Sequence, residues 1–281
     1  MKKIILLITV LFSQYCEAEW ITSFADAQKL ALATNKLMIV DFWATWCGPC
    51  KKMDANSWSD KEVNSILEQF VTVKIDIDMN SDLALKYGIN SIPNIFIMDG
   101  NGKVIYNFDG YHDANQLKNE LEDYVLSTEY LSSDLINFYK MNNFNTAIRV
   151  AQRYFDYSLF VDSEIKPKLL NVTVSYLSEA KKALHKKDED YIEKSQKLMF
   201  IELFQYAYAL DFIKLNKKLK ESVLLDIKES NINYYYFLKY ITAKGLNNND
   251  FIEMQEKAKR VEGFDYFESK ANFILSKQEK N

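Results

Sequence analysis

Cysteine, histidine, proline and glycine are all scarce in this chain of 281 residues, which holds three Cys, two His, three Pro and seven Gly. So few cysteines exclude a fold built around structural disulfides. Cys47 and Cys50 stand at C-x-x-C spacing, and a bond closing so small a loop removes too little chain entropy to serve as a staple. A zinc site would need two further ligands, and His112 and His185 lie far apart in the sequence. No flavin or nicotinamide motif is present. A formal net charge of −4 argues against a nucleic-acid-binding surface.

Past residue 18 no segment is long and apolar enough to suggest a membrane-spanning helix. The first eighteen residues have the layout of a removable export signal. Lys2 and Lys3 are basic, residues 4–12 are apolar, and Cys16-Glu17-Ala18 is a small-x-small cleavage signal. A lipid anchor on Cys16 is disfavoured by the bulky Tyr15 before it. The expectation is therefore an exported, periplasmic or secreted protein beginning at Glu19, with Cys47 and Cys50 as its remaining cysteines.

Charge, glycine and proline divide what remains. Residues 19–127 carry nine Lys/Arg against sixteen Asp/Glu, a net of −7, whereas residues 128–281 carry 24 against 22, a net of +2. Five of the seven glycines and all four tryptophans fall in the first part. That part reads as a turn-rich α/β unit, the second as nearly continuous helix.

In the first part, Ser23 is placed to cap a helix to about residue 34, with Phe24, Ala27, Leu30 and Ala31 on one face. A strand is expected over 37–43, then a helix from Cys47. Ser59 with Glu62 suggests a capping box for the next helix. Further strands are expected over 70–77, 94–98 and 103–108, the last two joined by Asp99-Gly100-Asn101-Gly102, a hairpin signal. A short helix over 81–87 and a final one opened by Asp113 and Gln116 complete the order αβαβαββα. A helix starting at Cys47 points its unpaired N–H groups at that sulfur and favours the thiolate. Cys50, one turn on, is close enough to resolve a mixed disulfide.

Trp43-Ala44-Thr45-Trp46-Cys47-Gly48-Pro49-Cys50-Lys51, then Lys74-Ile75-Asp76 and Tyr87-Gly88-Ile89-Asn90-Ser91-Ile92-Pro93, resembles the thioredoxin family over about residues 20–127. The segment Asn56-Ser57-Trp58-Ser59-Asp60-Lys61-Glu62-Val63 is also similar to the thioredoxin domains of periplasmic thiol:disulfide interchange proteins. The resemblance implies a thioredoxin-like fold, a central mixed sheet flanked by helices. It implies Cys47 as the exposed attacking thiolate and Cys50 as the more buried resolving thiol. It implies proton transfer through a buried Asp41 with Lys74 on the neighbouring strand, and a cis Pro93 beside an Ile92 backbone that pairs with an extended substrate. Trp46, Gly48 and Pro49 would line the substrate groove, and Trp43 would pack under the active-site helix. Gly48-Pro49 between the cysteines accompanies reducing members of the family. No cofactor beyond the redox-active cysteine pair is implied, and a membrane-bound thiol donor would have to supply electrons to an exported reductant.

In residues 128–281, helices are expected over 134–141, 146–157, 166–185, 191–215, 219–229, 233–244, 250–261 and 264–277. Paired helices suggest a tetratricopeptide-like solenoid, with an irregular bundle as the alternative. Tyr206, Tyr208 and Tyr234-Tyr235-Tyr236 suit either a core with wet hydroxyl ends or a groove for a protein partner. The leading expectation is a reductase of protein disulfides. An oxidase or isomerase, and a helical partner-binding scaffold with a redox-sensing domain, stand as alternatives.

Overall fold

β-branched and aromatic runs of five or six residues build the sheet at the centre of the first half. A computed structural model describes residues 19–221, 226–248 and 251–277. The expected export signal with Cys16, the start of the helix expected over 250–261 and part of the helix expected over 219–229 lie outside the described residues. Four strands, β1 (Met38–Trp43), β2 (Val71–Asp76), β3 (Asn94–Met98) and β4 (Val104–Asp109), form one mixed sheet ordered β2-β1-β3-β4. β1 runs parallel to β2 and antiparallel to β3, and β3 and β4 are an antiparallel hairpin. Ile39, Val40, Phe42, Val73, Ile75, Ile95 and Ile97 are fully buried; both faces of β1 are covered, and Asp41 is the one charged residue within that strand.

Helix α1 (Phe24–Thr34) starts where Ser23 accepts the Asp26 amide N–H. It buries Ala27, Ala31 and Leu32 rather than Leu30, which stays 43% exposed. Helix α2 (Gly48–Met53) runs into a π-helical turn, Asp54–Trp58, and then α3 (Lys61–Leu67). Asp60, not Ser59, caps α3, accepting the amides of Glu62 and Val63; the Ser59 hydroxyl instead donates back to Ala55. Asp60 wins because its carboxylate reaches the free amides and favours the positive end of the helix. Helix α4 (Ser81–Lys86) precedes β3, and α5 (Ala114–Glu122) opens with the Asp113–Gln116 capping box read from the sequence.

The second half is helical, α6 (Ser132–Lys140), α7 (Phe144–Tyr157), α8 (Lys166–Lys182), α9 (Tyr191–Tyr208), α10 (Phe212–Glu221), α11 (Ile232–Gly245), α12 (Phe251–Ala258) and α13 (Phe264–Ser276). The single helix expected over 191–215 is two. Leu210 adopts φ 61°, a left-handed conformation that stops α9, and Asp211 then accepts the Lys214 amide to start α10. Tyr208 is fully buried and Tyr206, Tyr234, Tyr235 and Tyr236 are half-buried, with Tyr234 against Phe204 and Phe267. The core reading of these tyrosines therefore describes most of their surface.

One apolar core runs through both halves, joining Leu37, Ile97 and Ile105 to Leu131, Tyr154 and Tyr176. The polar centre of that junction is Asp99 at the β3–β4 turn, with no exposed surface. Oδ1 accepts the amides of Asn101 and Lys103, each at 2.9 Å, and Oδ2 accepts the hydroxyls of Tyr154 at 2.9 Å and Tyr176 at 2.5 Å. Burial pushes the Asp99 carboxyl up and these four bonds pull it back. Gly102 closes the turn at φ 74°, where only glycine is unstrained.

Candidate active site

Cys47 lies between the end of β1 and the start of α2. Its position as N-cap follows from the chain: Pro49 has no amide hydrogen to lose and fits the first turn of a helix. Cys47 Sγ accepts the Cys50 amide N–H at 3.1 Å, and the two sulfurs form a disulfide. A thiolate released at Cys47 would face free amides at the positive end of α2. In this oxidised state Cys47 is 3% exposed and Cys50 2%. With the bond formed, the two cysteines are equally buried, and the expected contrast between an exposed and a buried sulfur is absent. Gly48, Pro49 and Trp46 form the accessible rim; Trp46 is 64% exposed and its indole N–H donates to Asp78 Oδ2 at 2.9 Å.

Asp41 sits in the middle of β1, 2% exposed, directly opposite Lys74 in the parallel pairing with β2. The Lys74 ammonium is 3.8 Å from Asp41 Oδ2 and also pairs with Asp54. It lies 5.1 Å from the centre of the Trp20 ring and 5.8 Å from that of Trp43. Burial pushes the Asp41 carboxyl up to about 7; the Lys74 charge opposes this and the Asp54 charge adds to it. The nearby Trp58 indole N–H favours the charged form weakly but does not meet hydrogen-bond geometry, so Asp41 Oδ1 and Trp58 Nε1 are both buried without a partner among the described residues. A carboxyl poised near neutrality can take or give a proton at physiological pH.

Asp54 was not singled out from the sequence. It stands four residues after Cys50, one helical turn on, which is the signal that could have found it. Just before β3, the Ile92–Pro93 peptide bond is cis. Pro93 is buried, its carbonyl accepts the Gly110 amide at 2.8 Å, and Ile92 is half-buried. Among the described residues no cluster of three or more His, Cys, Asp or Glu is arranged to hold a metal ion.

The family model for thioredoxin matches residues 21–123. A thioredoxin of Mycoplasmoides gallisepticum is 38% identical over 103 residues, 36% of this chain and 97% of that protein. This chain belongs to the thioredoxin family. Thioredoxin-T of Drosophila melanogaster is 41% identical over 81 residues, 26% of this chain and 46% of that protein, so the chain spans about half the length of that relative. Among solved structures, a mutant thioredoxin from Halobacterium salinarum is 26% identical, covering 38% of this chain and 89% of that one, with a TM-score of 0.32. The family-model match lies in the first half, and with the thioredoxin relatives it supports thiol:disulfide oxidoreductase chemistry at the Cys47–Cys50 pair, the redox group being the two cysteines themselves.

Proposed function

We propose that this protein is an exported dithiol reductase of protein disulfides. The observation that carries the chemistry is Cys47 at the N-cap of α2, its sulfur bonded to Cys50 and accepting the Cys50 amide. In the reduced protein the Cys47 thiolate attacks a substrate disulfide, forming a mixed disulfide and releasing one substrate thiolate. Cys50 then gives up its proton to the Asp41 carboxylate. The Cys50 thiolate attacks Cys47 Sγ and releases the second substrate sulfur, which takes up a proton. Two electrons pass to the substrate, and the protein is left as the Cys47–Cys50 disulfide.

The exposed Trp46, Gly48 and Pro49, with the Ile92 backbone beside Pro93, would receive an extended substrate segment by strand-like pairing. Export rests on the signal-like first eighteen residues, and it would place the protein in a periplasm, where a membrane-bound thiol protein resets the pair. Gly48-Pro49 supports the reducing direction. Family potentials run from about −270 mV for thioredoxin to about −120 mV for a strong periplasmic oxidant.

The mature chain is expected to reduce insulin-type disulfides with dithiothreitol as electron source, and Cys47→Ser to abolish it. Undiminished activity in that variant would remove Cys47 as nucleophile. Equilibration with glutathione sets the direction: a potential above about −180 mV, the isomerase range, would reverse it.

A further inference from the structure

The chain has only three arginines, Arg149, Arg153 and Arg260, among 35 basic residues. Two of them sit four residues apart on α7, on one helix face, where like charges repel. Asp134 of α6 lies between them, nearly buried, with Oδ1 3.3 Å from Arg149 Nε and Oδ2 2.8 Å from Arg153 Nε. Each guanidinium meets this carboxylate through Nε. The planar fork of an arginine has five donors, so much of its hydrogen-bonding capacity is left. Arg153 also donates through Nη1 to the Tyr130 hydroxyl at 3.4 Å. The terminal nitrogens of Arg149 make no hydrogen bond among the described residues, and its side chain is 66% exposed.

These groups open onto a cleft of about 230 Å³ between α7 and α13, with Tyr234 of α11 at its edge. Gln152 donates to the Tyr234 hydroxyl at 3.4 Å, and on the α13 wall stand Tyr266 and Lys270. Asp156 is already engaged, 3.0 Å from the Lys270 ammonium and accepting the Tyr208 hydroxyl. Three cations thus face two carboxylates that are both held, and one positive charge is left over. In a chain with one other arginine among its basic residues, arginine at both positions supplies planar forks matched to a carboxylate.

We propose that this cleft is a carboxylate-binding site that takes an acidic side chain or the terminal carboxylate of a partner polypeptide. Its size is below the usual range for small-molecule pockets, about 300–1,000 Å³, and suits one side chain rather than a nucleotide. A surplus of one charge, with Asp134 and Asp156 close by, favours a monoanion over a dianionic phosphate. None of the residues lining this cleft is assigned to the disulfide chemistry.

With three arginines, the Nε–Hε correlation spectrum of the full chain carries three side-chain signals, and Arg260 is an internal control. The probes are Ac-Gly-Glu-Gly-amide, Ac-Gly-Gly-Gly with a free terminus, Ac-Gly-Gln-Gly-amide and inorganic phosphate. Saturable shifts of the Arg149 and Arg153 signals with at least one carboxylate peptide, and not of Arg260, are expected; which peptide binds identifies the source. Arg149→Lys should weaken this binding about tenfold, as loss of a charge-assisted fork implies, while Arg153 keeps Asp134 paired and the fold intact. The proposal is overturned if neither carboxylate peptide saturates, if Arg149→Lys binds equally well, or if the glutamine peptide or phosphate saturates the same signals at equal or lower concentration.

Discussion

Lys74 stands opposite Asp41 in the β1–β2 pairing, yet its ammonium stays 3.8 Å from that carboxylate while also pairing with Asp54. Burial raises the Asp41 carboxyl to about 7; its counter-charge Lys74 opposes the rise, and the Asp54 charge, which also pairs with Lys74, adds to it.

The first consequence concerns stability against pH. In the folded oxidised protein the Asp41 carboxyl is raised to about 7 from an ordinary value of 3.8. Between these values the folded chain binds more protons than the unfolded one, so stability falls as pH rises, by up to about 1.4 kcal/mol per pH unit from this group. Above about 7 the full penalty of the buried charge remains. Asp41→Asn should remove this slope, gaining stability relative to the native chain from pH 5 to pH 8. Urea denaturation across that range checks it, and parallel curves for the two proteins would show that Asp41 does not titrate there. In turnover, the same variant should slow release of substrate by Cys50, on the order of a hundredfold if general acid–base transfer is lost.

Asp54 and Lys74 should move the Asp41 carboxyl in opposite directions. Asp54→Asn removes a like charge and frees Lys74 for Asp41, so the carboxyl should titrate at lower pH. Lys74→Met removes the opposing charge and should move the titration to higher pH. Carbon-detected NMR titration of the Asp41 carboxyl reads both. Shifts of the same sign would show that the two residues act through a change of structure rather than through charge.

The sequence exposed this site unevenly, and the reason is distance. Cys47, Gly48, Pro49 and Cys50 form one short turn, and Asp113 with Gln116 one capping box, so local spacing was sufficient for both. Asp41 and Lys74 were found through resemblance to a family, since 33 positions separate them along the chain. Asp54 escaped because its partnership depends on how the Lys74 side chain crosses from the sheet to the helix. Asp99 read as a turn residue and is one, but its two tyrosine partners stand 55 and 77 positions away. The break between α9 and α10 was hidden because the apolar period continues through it, and the residue in the left-handed conformation is a leucine rather than a glycine.

Tyr176 should be a stabilising residue remote from the redox pair. Its hydroxyl donates to the buried Asp99 carboxyl at 2.5 Å and accepts a hydrogen bond from the Asn101 side-chain Nδ2 at 3.2 Å. Tyr176→Phe keeps the ring and removes both bonds, the one to the buried carboxyl being the stronger, which should cost roughly 2 kcal/mol. The measurement is the midpoint of urea unfolding, and the insulin assay should be unchanged. Lost activity in a folded variant would instead couple the junction to the active site.

The Asp99 junction also bears on what a cut after Ser127 should do. Residues 19–127 hold every strand of the sheet and every residue assigned to the chemistry, which suggests an autonomous unit. In the structure, however, the β3–β4 hairpin leans on the helical half: Asp99 takes two of its four donors from α7 and α8, and Lys103 pairs with Glu179 at 2.9 Å. The Lys168 ammonium of α8 lies 4.7 Å from the centre of the Tyr106 ring on β4. Removing the helices would expose apolar surface that the shared core now covers, at a cost of about 25 cal/mol for each Å² returned to water. The fragment should therefore unfold at lower urea than the full chain and bind more of a hydrophobic dye. It should still exchange small model disulfides, because Cys47, Cys50, Asp41 and Lys74 all lie within it. An unchanged unfolding midpoint would show that the helices add nothing to the stability of the thioredoxin-like half, and would leave partner binding as their role.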